Sequence, residues 1–159
     1  MRKPAGRKRG GAGRRKPFGA GGAARAVSVI QVAAGLIIRE GRYLIARRKR
    51  GTHLGGLWEF PGGKREEGES LTDCLRRELL EELGVDVAAP VPFRVIRHEY
   101  PEKTVELHFF HCVIRGGEAR ALDCDEIRWV MPDELAGYEF PPADRPLVEA
   151  LRGLAGRRG

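Results

Sequence analysis

The stretch that most constrains this chain is residues 62–85, GGKREEGESLTDCLRRELLEELGV, where acids recur at the spacing of one helix face. Ser70 is an N-cap residue, Asp73 stands at the capping-box position, and Gly84 is a natural helix stop. On a helix between them, Glu78, Glu81 and Glu82 are three and four residues apart, so their carboxylates share a face. Such a face is costly. Two carboxylates ~6 Å apart oppose each other by roughly 3 kcal/mol at an effective dielectric of ~20. Glu81 and Glu82 also fall in the last turn, where the helix dipole favours cations. Arg77 offsets part of the repulsion, but one guanidinium does not neutralise three acids. A hard divalent cation would, and oxygen-only ligands point to Mg²⁺ or Mn²⁺ rather than zinc.

The same residues resemble a known signature. Gly63-x5-Glu69-x7-Arg77-Glu78-Leu79-x-Glu81-Glu82-x-Gly84-Val85 meets every defined position of the Nudix box. At ~5% per residue, chance agreement at its fixed identities is on the order of one in a billion. A merely solvated acidic helix is the weaker reading.

The net charge of +7 is unevenly placed. Residues 1–26 hold nine of the 29 Lys and Arg and no acid, which leaves 20 bases against 22 acids, a net of −2. This Gly/Arg-rich segment has almost no large apolar side chains and is expected to be a disordered tail. A nonspecific nucleic-acid contact is open to it, although Phe18 alone offers a base something to stack on. The simpler expectation is a solvated extension. Three cysteines without CxxC spacing suit reduced thiols in a cytoplasmic protein. No apolar run approaches the ~18 residues of a membrane span, and the N-terminus lacks the apolar core of a signal peptide.

From residue 27 the pattern becomes that of a folded domain, 27–159. Val27–Ile38 is a buried strand by its continuous apolar, β-branched content, and Tyr43–Arg48 returns after Glu40-Gly41-Arg42 as its hairpin partner. Leu57–Phe60 forms a short strand that Pro61-Gly62-Gly63 breaks before the box. Val85–Val91, Phe93–Tyr100, Thr104–Ile114 and Asp125–Met131 read as extended, Pro132–Leu135 as a helical turn, and Pro142–Leu154 as an amphipathic helix. Strands flanking a central and a terminal helix predict an α/β fold with a mixed β-sheet between helices. This resembles the α/β/α sandwich of the Nudix fold.

Ala46–Arg48 (ARR), Leu57–Lys64 (LWEFPGGK) and Phe140–Leu151 (FPPADRPLVEAL) look like the MutT branch of that family. The resemblance covers residues ~28–154. It implies a hydrolase of phosphoric anhydrides, a nucleoside triphosphate pyrophosphohydrolase releasing a monophosphate and pyrophosphate. Glu78, Glu81, Glu82 and the Gly62 carbonyl would hold Mg²⁺, joined by Asp123, with Asp125 and Glu126 as rivals for that place. Glu78 or Glu81 would take the proton of the attacking water, and Glu69 would pair with Arg77 and orient the helix. Arg48 and Lys64 would face the phosphates. Glu59, Phe60, Tyr100 and Lys103 would complete the substrate site, and Leu57 and Phe140 are further candidates for the base pocket.

Base choice would rest on Asp144, where the branch usually carries Asn. An ionised Asp only accepts hydrogen bonds. It suits the N7–H of 8-oxoguanine, but would need a proton and a raised pKa to donate to O6, and it equally suits the amine of cytosine. Asp144 is also a good N-cap for the last helix. The leading expectation is therefore an 8-oxo-dGTP diphosphatase that sanitises the nucleotide pool. A CTP or modified dCTP pyrophosphohydrolase is the alternative, and a nucleotide- or RNA-binding module on a Nudix scaffold is the reading from another class. The four histidines have no metal spacing and are expected to pack or face solvent. Monomer and dimer are both open.

Overall fold

The computed structural model describes residues 28–157. The predicted basic tail, 1–26, lies outside them. The apolar run becomes β1 (Val29–Arg39), the strand on which the sheet is built. Its first half pairs antiparallel with β4 (Gly62–Lys64), Ala33 opposite Gly63, and its last residues pair with β2 (Arg42–Arg47). Its other edge runs parallel to β7 (Thr104–Cys112), from Val29 opposite Thr104 to Ile37 opposite Cys112. That parallel pair makes the sheet mixed. The β1–β2 hairpin turns on Glu40 and Gly41 at φ 51° and 73°, the positive angles a tight two-residue turn requires.

β2 carries β3 (Trp58–Glu59) and β9 (Glu126–Val130), and β7 carries the outer strand β6 (Val91–Glu99). β5 (Asp86–Val87) and β8 (Ile114–Gly116) form a separate small sheet. β1 is apolar from Val32 to Ile38 because both faces of its centre are covered. Ala33 and Ile37 pack under α1 (Leu71–Leu83) with Cys74, Leu75 and Leu79. Ala34 and Leu36 belong to the opposite core, with Phe109 and the Leu147 and Leu151 side chains of α2 (Arg145–Gly156). The architecture is the expected α/β/α sandwich.

Three boundaries differ from the sequence reading. Gly62–Lys64 is a strand rather than a break, because bare glycine backbone can lie against β1; a Cβ at Gly62 would overlap the Ala33 carbonyl. Pro142–Asp144 is a 3₁₀ turn, so the last helix begins at Arg145. The stretch 85–91 divides between β5 and the start of β6. No described helix is long and apolar enough to cross a membrane.

Candidate active site

α1 is fixed at both ends. Ser70 Oγ accepts the Asp73 N–H at 3.1 Å, and Gly84, at φ 71°, donates its N–H to the Leu80 carbonyl at 3.0 Å. The segment 120–123 crosses the helix end and donates N–H groups of Leu122 and Asp123 to the Glu82 carbonyl at 3.0 and 3.2 Å. At the other side, β4 brings Gly63 so close that a Cβ there would overlap the Glu78 carboxylate. Gly62 and Gly63 are thus required by packing against β1 and α1.

Arg77 divides the acids unequally. Its guanidinium donates to Glu69 at 2.6 and 3.1 Å, to Glu78 at 2.9 Å and to Glu81 at 3.5 Å. Glu69 also accepts the Glu66 N–H at 2.8 Å, and the Arg77 bond foremost, with that N–H, holds its carboxyl down at about 2. Burial raises the Glu78 carboxyl, with Arg77 pulling against it. Glu82 lies beyond Arg77 and receives only the Gly62 N–H, at 3.3 Å. Burial pushes it up to about 8, and the charges of Glu59, Glu78 and Asp123 add to that. Among the described residues, no cationic side chain is ion-paired with Glu82.

Asp123 is ion-paired with Lys49. Of its rivals, Asp125 accepts the Arg50 N–H at 3.2 Å and Glu126 is bonded to Arg128 at 2.6 Å, so Asp123 is the loop acid whose charge falls on Glu82. Among the described residues no group of three His, Cys, Asp or Glu side chains is already drawn around one metal-sized point. Glu78 and Glu81 are turned to Arg77, and a cation would have to draw them toward Glu82. The donor set, all oxygen with one buried acid of unmet charge, fits a hard divalent cation.

From Gly62, Gly63 and Lys64 a cavity of about 290 Å³ runs to Asp144. Arg48, Glu59, Phe60, Lys64, Tyr100, Lys103 and Asp144 all line it, so the substrate-site candidates converge on one space. Arg48 is not a free cation there: Nη1 bonds Glu59 Oε2 at 2.7 Å and Nε bonds the His53 carbonyl at 2.9 Å. Lys103 Nζ stands 5.8 Å from the Tyr100 ring centre. Asp144 precedes α2 but makes no side-chain cap, so its carboxyl is left to the cavity. Burial pushes it up to about 7, aided by Glu59 and opposed by Arg48. Burial likewise raises Glu59, against the pull of Arg48.

Two expectations are corrected. Leu57 and Phe140 face a different cavity, of about 480 Å³, against α2. Phe140 stacks on Phe60 at 5.4 Å, which turns it into the core and away from the base pocket. His53 is exposed, as expected of a surface residue, and with Leu54, whose φ of 57° marks the bend of that loop, it also lines the site cavity. Val32, Val105 and Leu107 also line it. Val105 and Leu107 alternate with Glu106 and His108 and so share a face of β7, but nothing in the sequence marks that face as a cavity wall rather than core.

A mixed sheet covered by helices on both faces, with a glycine-flanked acidic helix beside a nucleotide-sized cavity, defines a class, and sequence comparisons place the chain within it. The family model for the NUDIX domain matches residues 33–150. The chain is similar to a CTP pyrophosphohydrolase of Escherichia coli, 36% identical over 132 residues, 83% of this chain and 98% of that one. It is 35% identical to an 8-oxo-dGTP diphosphatase of Haemophilus influenzae over 124 residues, 77% and 91% of the two chains. The solution structure of the E. coli ORF135 protein superposes with a TM-score of 0.73 at 34% identity, covering 86% of this chain and 98% of that one. The chain belongs to the NUDIX domain family, on the MutT side of it, and is a hydrolase of phosphoric anhydride bonds in nucleotides.

Proposed function

We propose that this protein is a Mg²⁺-dependent nucleoside triphosphate pyrophosphohydrolase whose preferred substrate is 8-oxo-dGTP, working in nucleotide-pool sanitation in the cytoplasm. The observation that carries the reading is the single cavity joining Gly62–Lys64, beside the acidic face of α1, to the uncapped Asp144. A triphosphate laid along it meets the acids at one end while its base meets Asp144 at the other.

Glu78, Glu81, Glu82, Asp123 and the Gly62 carbonyl would hold Mg²⁺ or Mn²⁺. The bound cation would neutralise the phosphates and lower the pKa of the attacking water. Glu81, the most exposed of the three helix acids and held to Arg77 only at 3.5 Å, takes the proton as water attacks the β-phosphorus. Lys64 meets the phosphate chain, while Glu69 and Arg77 hold the helix acids in register. Lys103 and Tyr100 close the cavity beside the base.

A protonated Asp144 donates to O6 of 8-oxoguanine and accepts from its N7–H, whereas unmodified guanine offers two acceptors at those positions. The pKa of about 7 keeps that proton available near neutrality. The second reading, CTP hydrolysis, is favoured by the similarity to the E. coli enzyme and by the ability of Asp144 to accept from the cytosine amine. Pyrophosphate release from 8-oxo-dGTP, dGTP, CTP and 5-methyl-dCTP separates them. A large kcat/KM advantage for 8-oxo-dGTP is expected. Preference for the cytosine nucleotides moves the function to the second reading, and no release from any of them leaves a binding module.

A further inference from the structure

We propose that Lys49 is an internal counter-cation of the acidic site, holding Asp123 while no divalent cation is bound and passing to the polyphosphate when that carboxylate turns to the metal. The inference rests on the metal reading above and deepens it. Asp123 cannot drift from the site, because its own N–H and that of Leu122 are bonded to the Glu82 carbonyl at the end of α1. Its negative charge therefore adds to the field on Glu82. Arg77 pairs with Glu66, Glu69, Glu78 and Glu81 but reaches neither Glu82 nor Asp123. Lys49 supplies the missing charge on that side.

Its position is also fixed by backbone. The Asp125 N–H donates to the Arg47 carbonyl at 3.0 Å, and the Asp125 carboxylate accepts the Arg50 N–H at 3.2 Å. These bonds bracket Lys49 and lash its loop to the segment carrying Asp123. Arg48, one residue before, lines the cavity, while the Lys49 ammonium is held beside the Asp123 carboxylate. Both partners are largely exposed, Lys49 at 48% and Asp123 at 62%, so the pair is weak enough to exchange. A flexible four-carbon stem lets the ammonium swing without moving the loop. Lysine and metal then compete for one carboxylate, and the entering metal frees a cation at the place where the phosphates arrive.

Mn²⁺ binding to the full chain without nucleotide, followed by electron paramagnetic resonance, tests the first half. Lys49→Met is expected to tighten binding about three- to fivefold, the scale of a lost exposed ion pair. In an Asp123→Asn background the same change should have no effect. A general loss of positive charge would instead act in both backgrounds, so an equal gain there overturns the proposal, as does unchanged or weaker binding by Lys49→Met. An α,β-methylene triphosphate with Mg²⁺ tests the second half: Lys49→Met should bind it several-fold more weakly, and unaltered affinity overturns the transfer. If the parent protein binds no Mn²⁺, the metal reading falls and this proposal with it. Parent binding that ignores Lys49 overturns this proposal alone.

Discussion

The Arg48 guanidinium donates a 2.7 Å hydrogen bond to Glu59 where the wall of the cavity meets the acidic face of α1. Glu59 is the acid whose charge is felt at both ends, raising Asp144 on one side and Glu82 on the other. Replacing it by Gln removes that repulsion and frees Arg48, and both changes favour an ionised Asp144. The Glu59→Gln variant should therefore lose activity on 8-oxo-dGTP at lower pH than the parent. A pH profile of kcat/KM checks this, and an alkaline limb that stays in place or moves upward contradicts it.

Glu82 gives a stability prediction. Its folded pKa of about 8 lies above its ordinary value of 4.5, so the folded state binds the proton more tightly. The stability this confers is complete below 4.5 and is lost as pH rises to 8. Metal-free parent protein should lose on the order of 3 kcal/mol more than Glu82→Gln across that window. Urea unfolding at pH 5 and pH 8.5, with chelator present, measures the difference. Added Mg²⁺ should restore the parent at high pH and leave the variant little changed.

The Arg77–Glu69 pair carries the opposite sign. The Glu69 carboxyl is held at about 2, below its ordinary 4.5, so its contribution is present above 4.5 and fades as pH falls toward 2. Thermal unfolding between pH 5 and pH 2.5 should show a steeper loss of Tm for the parent than for Glu69→Gln. Parallel curves would mean that the pair adds nothing to stability.

Gly63→Ala should separate folding from catalysis. The added Cβ overlaps the Glu78 carboxylate and must displace it, while the strand backbone can remain paired to β1. A loss of about 100-fold or more in kcat is expected, since misplacing a reacting group by an ångström costs that much. Circular dichroism should show the fold intact. Near-parental turnover would mean that Glu78 has no positional role.

Much of this was legible in the chain before folding. The helix with its Ser70 and Gly84 caps, the β1–β2 hairpin and the mixed sheet follow from local chemistry and periodicity, and the box residues announce the acidic face. What could not be read was set by contacts distant in sequence. Gly62–Lys64 looks like a turn until β1 lies beside it. Phe140 looks like a pocket aromatic until Phe60 stacks on it. Three glutamates at helix spacing look equivalent, and only the position of Arg77, which bonds Glu78 and Glu81, singles out Glu82 as the one it does not pair with. Asp144 is a plausible cap from its place before a helix, yet its backbone is already helical at φ −88° and ψ −16°, and its side chain caps nothing.

The measurement that tests the account most directly is kcat/KM for 8-oxo-dGTP, dGTP and CTP between pH 6 and pH 9, in the parent and in Asp144→Asn. The account predicts that the parent prefers 8-oxo-dGTP near neutrality and that this preference declines as pH rises through the Asp144 pKa of about 7. Asn, which donates and accepts at every pH, should keep the preference and flatten the decline. CTP favoured throughout, or a preference for 8-oxo-dGTP indifferent to pH in the parent, would contradict it.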